Sequence, residues 1–482
     1  MRTRTFLLVL LLAVGCSRNN PAYLGPADAA LPPDAPPAPQ QDAASPQDAA
    51  AADDAGPPAD ASPAACAEGE STCVGGLLAD CDAAGTWIPR DPPCDSLCTI
   101  DSAAPPRAAH CGGFEPANGL PTCGTVTGHG PFLPSSSVPI LVIDTDLGTI
   151  NGDSSSYPSY IQTQTGGPDI RVFKFSRIEI PEGVEIVAVG HAALALYAET
   201  DVVIAGAVRA GPGTHGTLGD EVRRRPPAGA WVTGANWPGT AGIAGAGADV
   251  YGSTGGGGGG FGQNGGAAGS GPTLPPTAGG GAAYGTADLV PLLGGSPGGT
   301  LPITGSEPVA PAGGGALQIV GCRSLRIAAT GRISASGQGG PGGLPGLAPH
   351  AGQGGGSGGA VLLESPSIII AGRVTAHGGG GGGGASGNDP GGRGEDGRED
   401  ASPARGGAAA TGAGGGGAGG IEPSLPSAPE GQPGGLDLGG GGGGGGLGRL
   451  RLNVAPGAAP DVVAGAVVTP LAAASKGELV TW

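Results

Sequence analysis

Residues 316–337 read ALQIVGCRSLRIAATGRISASG, and the same pattern recurs at 193–212, ALALYAETDVVIAGAVRAGP, and at 360–378, AVLLESPSIIIAGRVTAHG. Each copy reads as two strand-like pieces joined at a glycine, Gly331, Gly206 or Gly372. In alignment, Val202 and Ile204 correspond to Leu325 and Ile327 and to Ile368 and Ile370. Beyond the glycine, Val208 and Ala210 correspond to Ile333 and Ala335 and to Val374 and Ala376. Residues two apart share one face of a strand, so each copy offers an inward pair, a corner and a second inward pair. A unit of this kind cannot bury its apolar face alone and must stack on its neighbours. Each buried Ile or Val contributes about 1.5–3 kcal/mol, enough to hold such a stack. The pattern predicts an all-β chain built as a parallel β-helix-like solenoid. PILVIDTDLGTI at 139–150 and VFKFSRIEIPEGVEIVAVG at 172–190 lead into it as half-buried strands. VVAGAVV at 462–468, after LGRLRLNV, reads as a degenerate fourth copy that closes the C-terminal end.

Between the copies lie glycine tracts at 255–260, 378–384 and 439–446. With 105 glycines and 49 prolines in 482 residues, interior helix is disfavoured nearly everywhere. Glycine has no side chain to fill a solenoid, so the tracts are expected as long excursions from one side of it. Ordering a residue costs about 1–2 kcal/mol and a backbone hydrogen bond returns about 0.5–1.5, so order needs cooperative packing. Extended polyglycine (polyglycine II) helices of three residues per turn can supply it, since only hydrogen occupies their contacts. Flexible loops are the alternative; a packed bundle is the expectation. Similar glycine-rich bundles are known in some antifreeze proteins and phage tail-tip adhesins. In so glycine-rich a chain GxGxxG arises by composition alone, and no tract is followed by the GK[ST] of a phosphate-binding loop.

At the N-terminus, Arg2 and Arg4 precede an apolar run, Phe6 to Leu12, and then Ala13-Val14-Gly15-Cys16. This resembles a bacterial lipoprotein signal peptide over residues 1–15, which implies lipidation of Cys16, an anchor in a membrane, and residence in the bacterial envelope. Ser17, not aspartate, follows the cysteine, and by analogy that points to the outer membrane with surface exposure. The apolar run is too short to span a bilayer. An ordinary secretory signal with Cys16 incidental is the alternative, and either way the chain is exported. Residues 16–65 are rich in Pro, Ala, Asp and Gln and are expected to form a disordered tether.

Residues 66–123 form a cysteine-rich segment with Cys66, Cys73, Cys81, Cys94, Cys98, Cys111 and Cys123. Zinc modules favour CxxC pairs, which are missing here, and export favours disulfides. The run from Cys66 through Gly85 and Trp87 to Cys98 resembles a small module of exported lipoproteins from large-genome bacteria. The resemblance implies no activity. Three internal bridges among the first six cysteines would leave Cys123 and Cys322 over, and a Cys123–Cys322 bridge would tie the module to residues 124–482. The combined repeat and glycine pattern of that last segment resembles uncharacterised glycine-rich surface lipoproteins.

A formal net charge of −18, with Lys174 and Lys476 the only lysines, excludes nucleic acid as the main partner. No catalytic residue and no cofactor is assigned. The six histidines, among them His191, His350 and His377, are dispersed, and the copies carry almost no charged residues at matching outward positions. Asp144, Asp146 and Asp153 are weak calcium candidates, although the spacing is not that of an EF-hand and two aspartates on a strand commonly form a solvated face. Arg223, Arg224 and Arg225 beside Trp231 and Trp237 suggest a surface for a glycan or surface polymer, against the reading of an aromatic plug holding a long loop. The expected role is adhesive, structural or ligand-binding. The rival is a lyase or glycosidase on the same scaffold.

Overall fold

The computed structural model describes residues 66–74, 77–90, 97–102, 108–124, 130–211, 225–230, 254–271, 278–300, 310–346, 350–421, 425–435, 438–471 and 475–481. Residues 63–482 make up one compact unit. At its start β1 (Ser71–Val74), β2 (Leu77–Cys81) and β3 (Trp87–Pro89) form an antiparallel sheet, and β4 (Leu97–Ser102) pairs with β5 (Ala108–Gly112). Cys66 is disulfide-bonded to Cys81, and Cys98 is also disulfide-bonded. Cys94 lies outside the described residues, as do the side chains of Cys73 and Cys111. After β6 (Phe114–Glu115) comes a 3-10 turn at Ala117–Gly119.

The rest of the fold is three largely parallel sheets visited in rotation. The first turns of chain supply β7 (Ile140–Asp144), β8 (Thr149–Ile150), β9 (Ser159–Gln162), β10 (Ile170–Phe175), β11 (Ile178–Ile180) and β12 (Glu185–Val189). The repeat copies supply β13 (Ala193–Ala198), β14 (Asp201–Ile204), β15 (Ala207–Arg209), then β16 (Ala316–Gly321), β17 (Ser324–Ile327), β18 (Arg332–Ser334). The third gives β19 (Ala360–Glu364), β20 (Ile368–Ile370), β21 (Arg373–Thr375), and the fourth β22 (Arg449–Val454), β23 (Asp461–Val462), β24 (Val467–Thr469). β25 (Lys476–Glu478) and β26 (Val480–Thr481) end the chain. Sheet A runs β9-β10-β13-β16-β19-β22-β25, sheet B runs β11-β14-β17-β20-β23, and sheet C runs β8-β7-β12-β15-β18-β21-β24. Antiparallel β8 and β9 cover the N-terminal edges.

The register is the one the repeat implies: Val202 pairs with Leu325 and Leu325 with Ile368, while Val208 pairs with Ile333 and Ile333 with Val374. Each copy, however, holds three strands, not two. ALALYA is a strand of its own, turned into β14 at Glu199-Thr200. It hid because all six of its residues are buried. A strand covered on both faces reads as a continuous apolar run without alternation.

One apolar core therefore fills the space between the sheets, with Leu194, Leu196, Val202, Ile204 and Val208 contributed by the first copy. A second lies on the outer face of sheet A, where Tyr197, Val320 and Leu362 pack under Phe114, Leu120 and Leu292. Cys123 and Cys322 are joined there by a disulfide, and Tyr197 Oη lies 3.1 Å from Cys322 Sγ. Phe114 and Cys123, placed by sequence in the cysteine module, thus belong to the core of the repeat region. The same covered face carries Glu364, which accepts from Gln318 Nε2 at 2.6 Å, Asn453 Nδ2 at 3.0 Å and the Ala117 N–H at 3.1 Å. The Cys123–Cys322 bridge closes a loop with a sequence separation of 199. Loss of both thiols, by Cys123→Ala with Cys322→Ala, is expected to cost about 2–5 kcal/mol in denaturant unfolding. Peptide mapping without reductant checks the link itself; two alkylatable thiols would contradict it.

The glycine tracts are ordered. Every long excursion leaves after a sheet C strand and returns at a sheet A strand: from β15 to β16, β18 to β19 and β21 to β22. Within 378–384, Gly379 and Gly382 donate to Gly356 and Gln353, Gly380 and Gly383 to Glu395 and Gly392, and Gly381 and Gly384 to Gly417 and Gly414. The same segment accepts from Gly442 and Gly445, from Gly340 and Gly343, and from Gly407 and Ala410. Each neighbouring segment is met every third residue, the period of an extended polyglycine helix. Three donor and three acceptor directions give this segment six hydrogen-bonded neighbours. A Cβ at Gly381 would come within 3.0 Å of the Gly442 carbonyl oxygen, and one at Gly443 within 3.0 Å of that of Gly266, so the lattice spacing demands glycine.

Candidate functional site

On sheet C the outward positions of β18 and β21 begin with an exposed arginine and border a groove. Ile333 and Val374 point to the core, so Arg332 and Ser334 on β18, and Arg373 and Thr375 on β21, take the opposite face. Arg332 and Arg373 are register partners on adjacent strands, and Arg209 on β15 pairs with Ser334. The expectation of an outward face nearly free of matched charge is thus corrected. GRI and GRV follow the two corner glycines, and the arginine between glycine and the inward residue has to face out.

Residues 393–400, from the third excursion, form the opposite wall and enclose about 590 Å³. A second hollow of about 460 Å³ lies on the other side of the same Arg209, Arg332 and Arg373, against Glu182–Glu185. Ser334 and Ser336 line the floor with their Oγ atoms 3.0 Å apart, and the buried Thr375 Oγ1 donates to Ser334 Oγ from behind at 3.4 Å.

The acids of the wall are spent on arginines. Glu399 holds Arg209 Nε at 2.9 Å, Asp396 holds Arg393 at 3.1 Å, and Asp400 holds Arg398 at 2.8 Å. Hydrogen bonding from Arg398 and the Ser402 N–H brings the Asp400 carboxyl down to about 2. Arg209 is also shared with Glu185 at 3.3 Å. Arg332 reaches Glu399 only at 3.8 Å, and the exposed Arg373 has no ion pair among the described residues. Two register-paired arginines thus share the groove, one with a long ion pair and one with none among the described residues. Like charges directly opposite on adjacent strands repel, and an anion between them relieves that.

No protein-family model, curated protein or solved structure matches the chain. What the groove does must follow from its own geometry.

The residues singled out in the sequence fall elsewhere. Asp144 and Asp146 do meet, but Arg225 lies between them. Arg225 Nη2 is 2.9 Å from Asp144 Oδ1 and 3.0 Å from Asp146 Oδ2, with a further contact from Arg225 Nη1 to Asp144 Oδ2. Burial pushes the Asp144 carboxyl up, and the Arg225 guanidinium with the Leu147 and Asp146 N–H groups overcomes it, leaving the group below the usual carboxylate range. Asp146 also accepts from the His191 N–H at 2.7 Å. Asp153 binds its own turn, the Ser155 N–H and hydroxyl both at 2.8 Å. Asp144 and Asp146 make an ion-pair corner with Arg225, and among the described residues no group of three or more acid, His or Cys side chains is placed to hold a metal. Of the Arg–Trp surface only Arg225 is described, and it is held in that corner. Arg223, Arg224, Trp231 and Trp237 lie outside the described residues, as does Cys16.

Beside the groove floor, just past β21, His377 is fully buried and neither ring nitrogen has a hydrogen-bond partner. Burial brings its ring down to about 4, against the opposing pull of the Arg398 backbone and the Asp400 charge. A depressed histidine means that the unfolded chain takes up the proton first. Its contribution is complete above the ordinary value near 6.5 and is lost as pH falls from there toward about 4. The loss amounts to about 3 kcal/mol. Unfolding measured between pH 7 and 4 should show a smaller acid loss for His377→Leu than for the parent; parallel profiles would contradict this.

Proposed function

We propose that the chain is an exported lipoprotein, anchored through Cys16, whose coils close as a three-faced parallel β-helix and whose role is ligand binding or envelope structure, not hydrolysis. The observation that carries this reading is the groove's charge pattern: its acids are ion-paired, while Arg332 reaches Glu399 only at 3.8 Å and Arg373 has no ion pair among the described residues. A glycosidase needs a carboxyl raised to donate a proton. Asp400 is shifted the other way, to about 2. Glu364 is raised by burial, but it sits under the Ala117 segment with its oxygens accepting three hydrogen-bond donors, and its task is to join β16, β19 and β22 to that segment. A hydrogen-bonded glycine lattice beside a stack of parallel coils suits a stiff body that presents a surface.

Cys16→Ser should move the protein from the detergent-extracted envelope to the soluble fraction and abolish labelling by palmitate analogues. Unchanged labelling and fractionation would overturn the anchored reading.

A further inference from the structure

Resting on the binding reading above, we propose that the groove on sheet C is a subsite for an acidic polysaccharide, with Arg332 and Arg373 taking the carboxylates of successive sugars. Adjacent strands lie about 4.8 Å apart, so the two register-paired arginine positions repeat at a distance comparable with the advance of one pyranose ring along a glycan. Guanidinium binds carboxylate through two parallel hydrogen bonds. The hydroxyls of Ser334 and Ser336 lie beside the arginines on the groove floor, where sugar hydroxyls would sit.

The same chemistry argues against nucleic acid. That polyanion carries a far denser charge, the chain has a net charge of −18, and the groove wall holds Glu395, Asp396, Glu399 and Asp400. Base stacking needs aromatic platforms, and the groove lining has none. A glycan with one carboxylate per sugar carries less charge per unit length than duplex DNA, which has one per about 1.7 Å, and fits the two arginines better.

The test uses the full-length chain in detergent, with oligogalacturonate, neutral galactan and inorganic sulfate as probes in calorimetry or surface binding. The parent should bind oligogalacturonate, more weakly as salt rises, and should not bind galactan. Arg332→Gln with Arg373→Gln should weaken binding about tenfold or more, while the melting temperature stays level or rises because stacked like charges are removed. Undiminished binding by the variant would remove the groove assignment and leave the binding reading standing. Equal affinity for sulfate alone would reduce the site to a simple oxyanion site and overturn the glycan proposal. A parent that binds no oligogalacturonate also overturns it, without touching the anchored reading, which fractionation of Cys16→Ser decides.

Discussion

Ile370→Asp is expected to cost about 3–5 kcal/mol, a large loss for a single change in the parallel sheets. Ile370 is fully buried and lies between its register partners Ile327 and Val462 in sheet B. A carboxylate there has no cation or donor to meet, since its neighbours in the core are Leu, Ile and Val side chains, and an unpaired buried charge is among the costliest changes known. The adjacent Ile369 has the opposite parity and is only half-buried. Ile369→Thr should cost about 1 kcal/mol or less, within the span of strand propensities. Thermal and denaturant unfolding of the full chain compares them. Equal, small losses from both would mean that the coils do not stack.

Gly381→Ala should be nearly as damaging, although it adds a single methyl group. That methyl would press on the Gly442 and Gly443 carbonyl oxygens. The lattice must then part at a point where Gly381 donates to Gly417 and Gly442 donates to Gly382. Overpacking costs about 1–3 kcal/mol, and each lost hydrogen bond adds about 0.5–1.5. A loss of about 2–5 kcal/mol follows. Gly130→Ala serves as the contrast, because a Cβ at Gly130 meets nothing within 4 Å, and it should leave unfolding unchanged. In flexible loops the two alanines would behave alike.

These two tests concern parts of the molecule that differ in how plainly the sequence shows them. The inward ladders are legible residue by residue: Val202, Leu325 and Ile368 align in sequence and pair in space. Parity carries that information, because one face of each strand is wet. Parity fails for β13, β16 and β19, which are covered on both faces, so a whole sheet is hidden in what reads as one apolar run. The Cys123–Cys322 bridge is readable only from the leftover thiols, since no local pattern joins residues so far apart.

The groove is half legible. Gly-Arg-Ile and Gly-Arg-Val at 331–333 and 372–374 put Arg332 and Arg373 at matching outward positions, a signal masked when only apolar residues are followed. The far wall, GRGEDGRED at 392–400, comes from an excursion whose path is set by backbone hydrogen bonds of Gly391, Gly394 and Gly397. Those bonds leave no side-chain pattern, so nothing in the sequence places Glu399 beside Arg209. The Arg–Trp cluster at 223–237 attracts the eye by composition, yet its one described member serves an ion pair with Asp144 and Asp146.

Central to all of this is that the glycine tracts form a hydrogen-bonded lattice continuous with the parallel sheets. Amide hydrogen exchange of the full chain, read at 379–384 and 441–446 and compared with β16, measures it directly. Glycine amides that donate to backbone carbonyls in a buried lattice should exchange as slowly as those of Leu317–Val320. Exchange at the rate of an unstructured chain, with β16 still protected, would contradict the lattice and leave the parallel sheets trailing loose glycine loops.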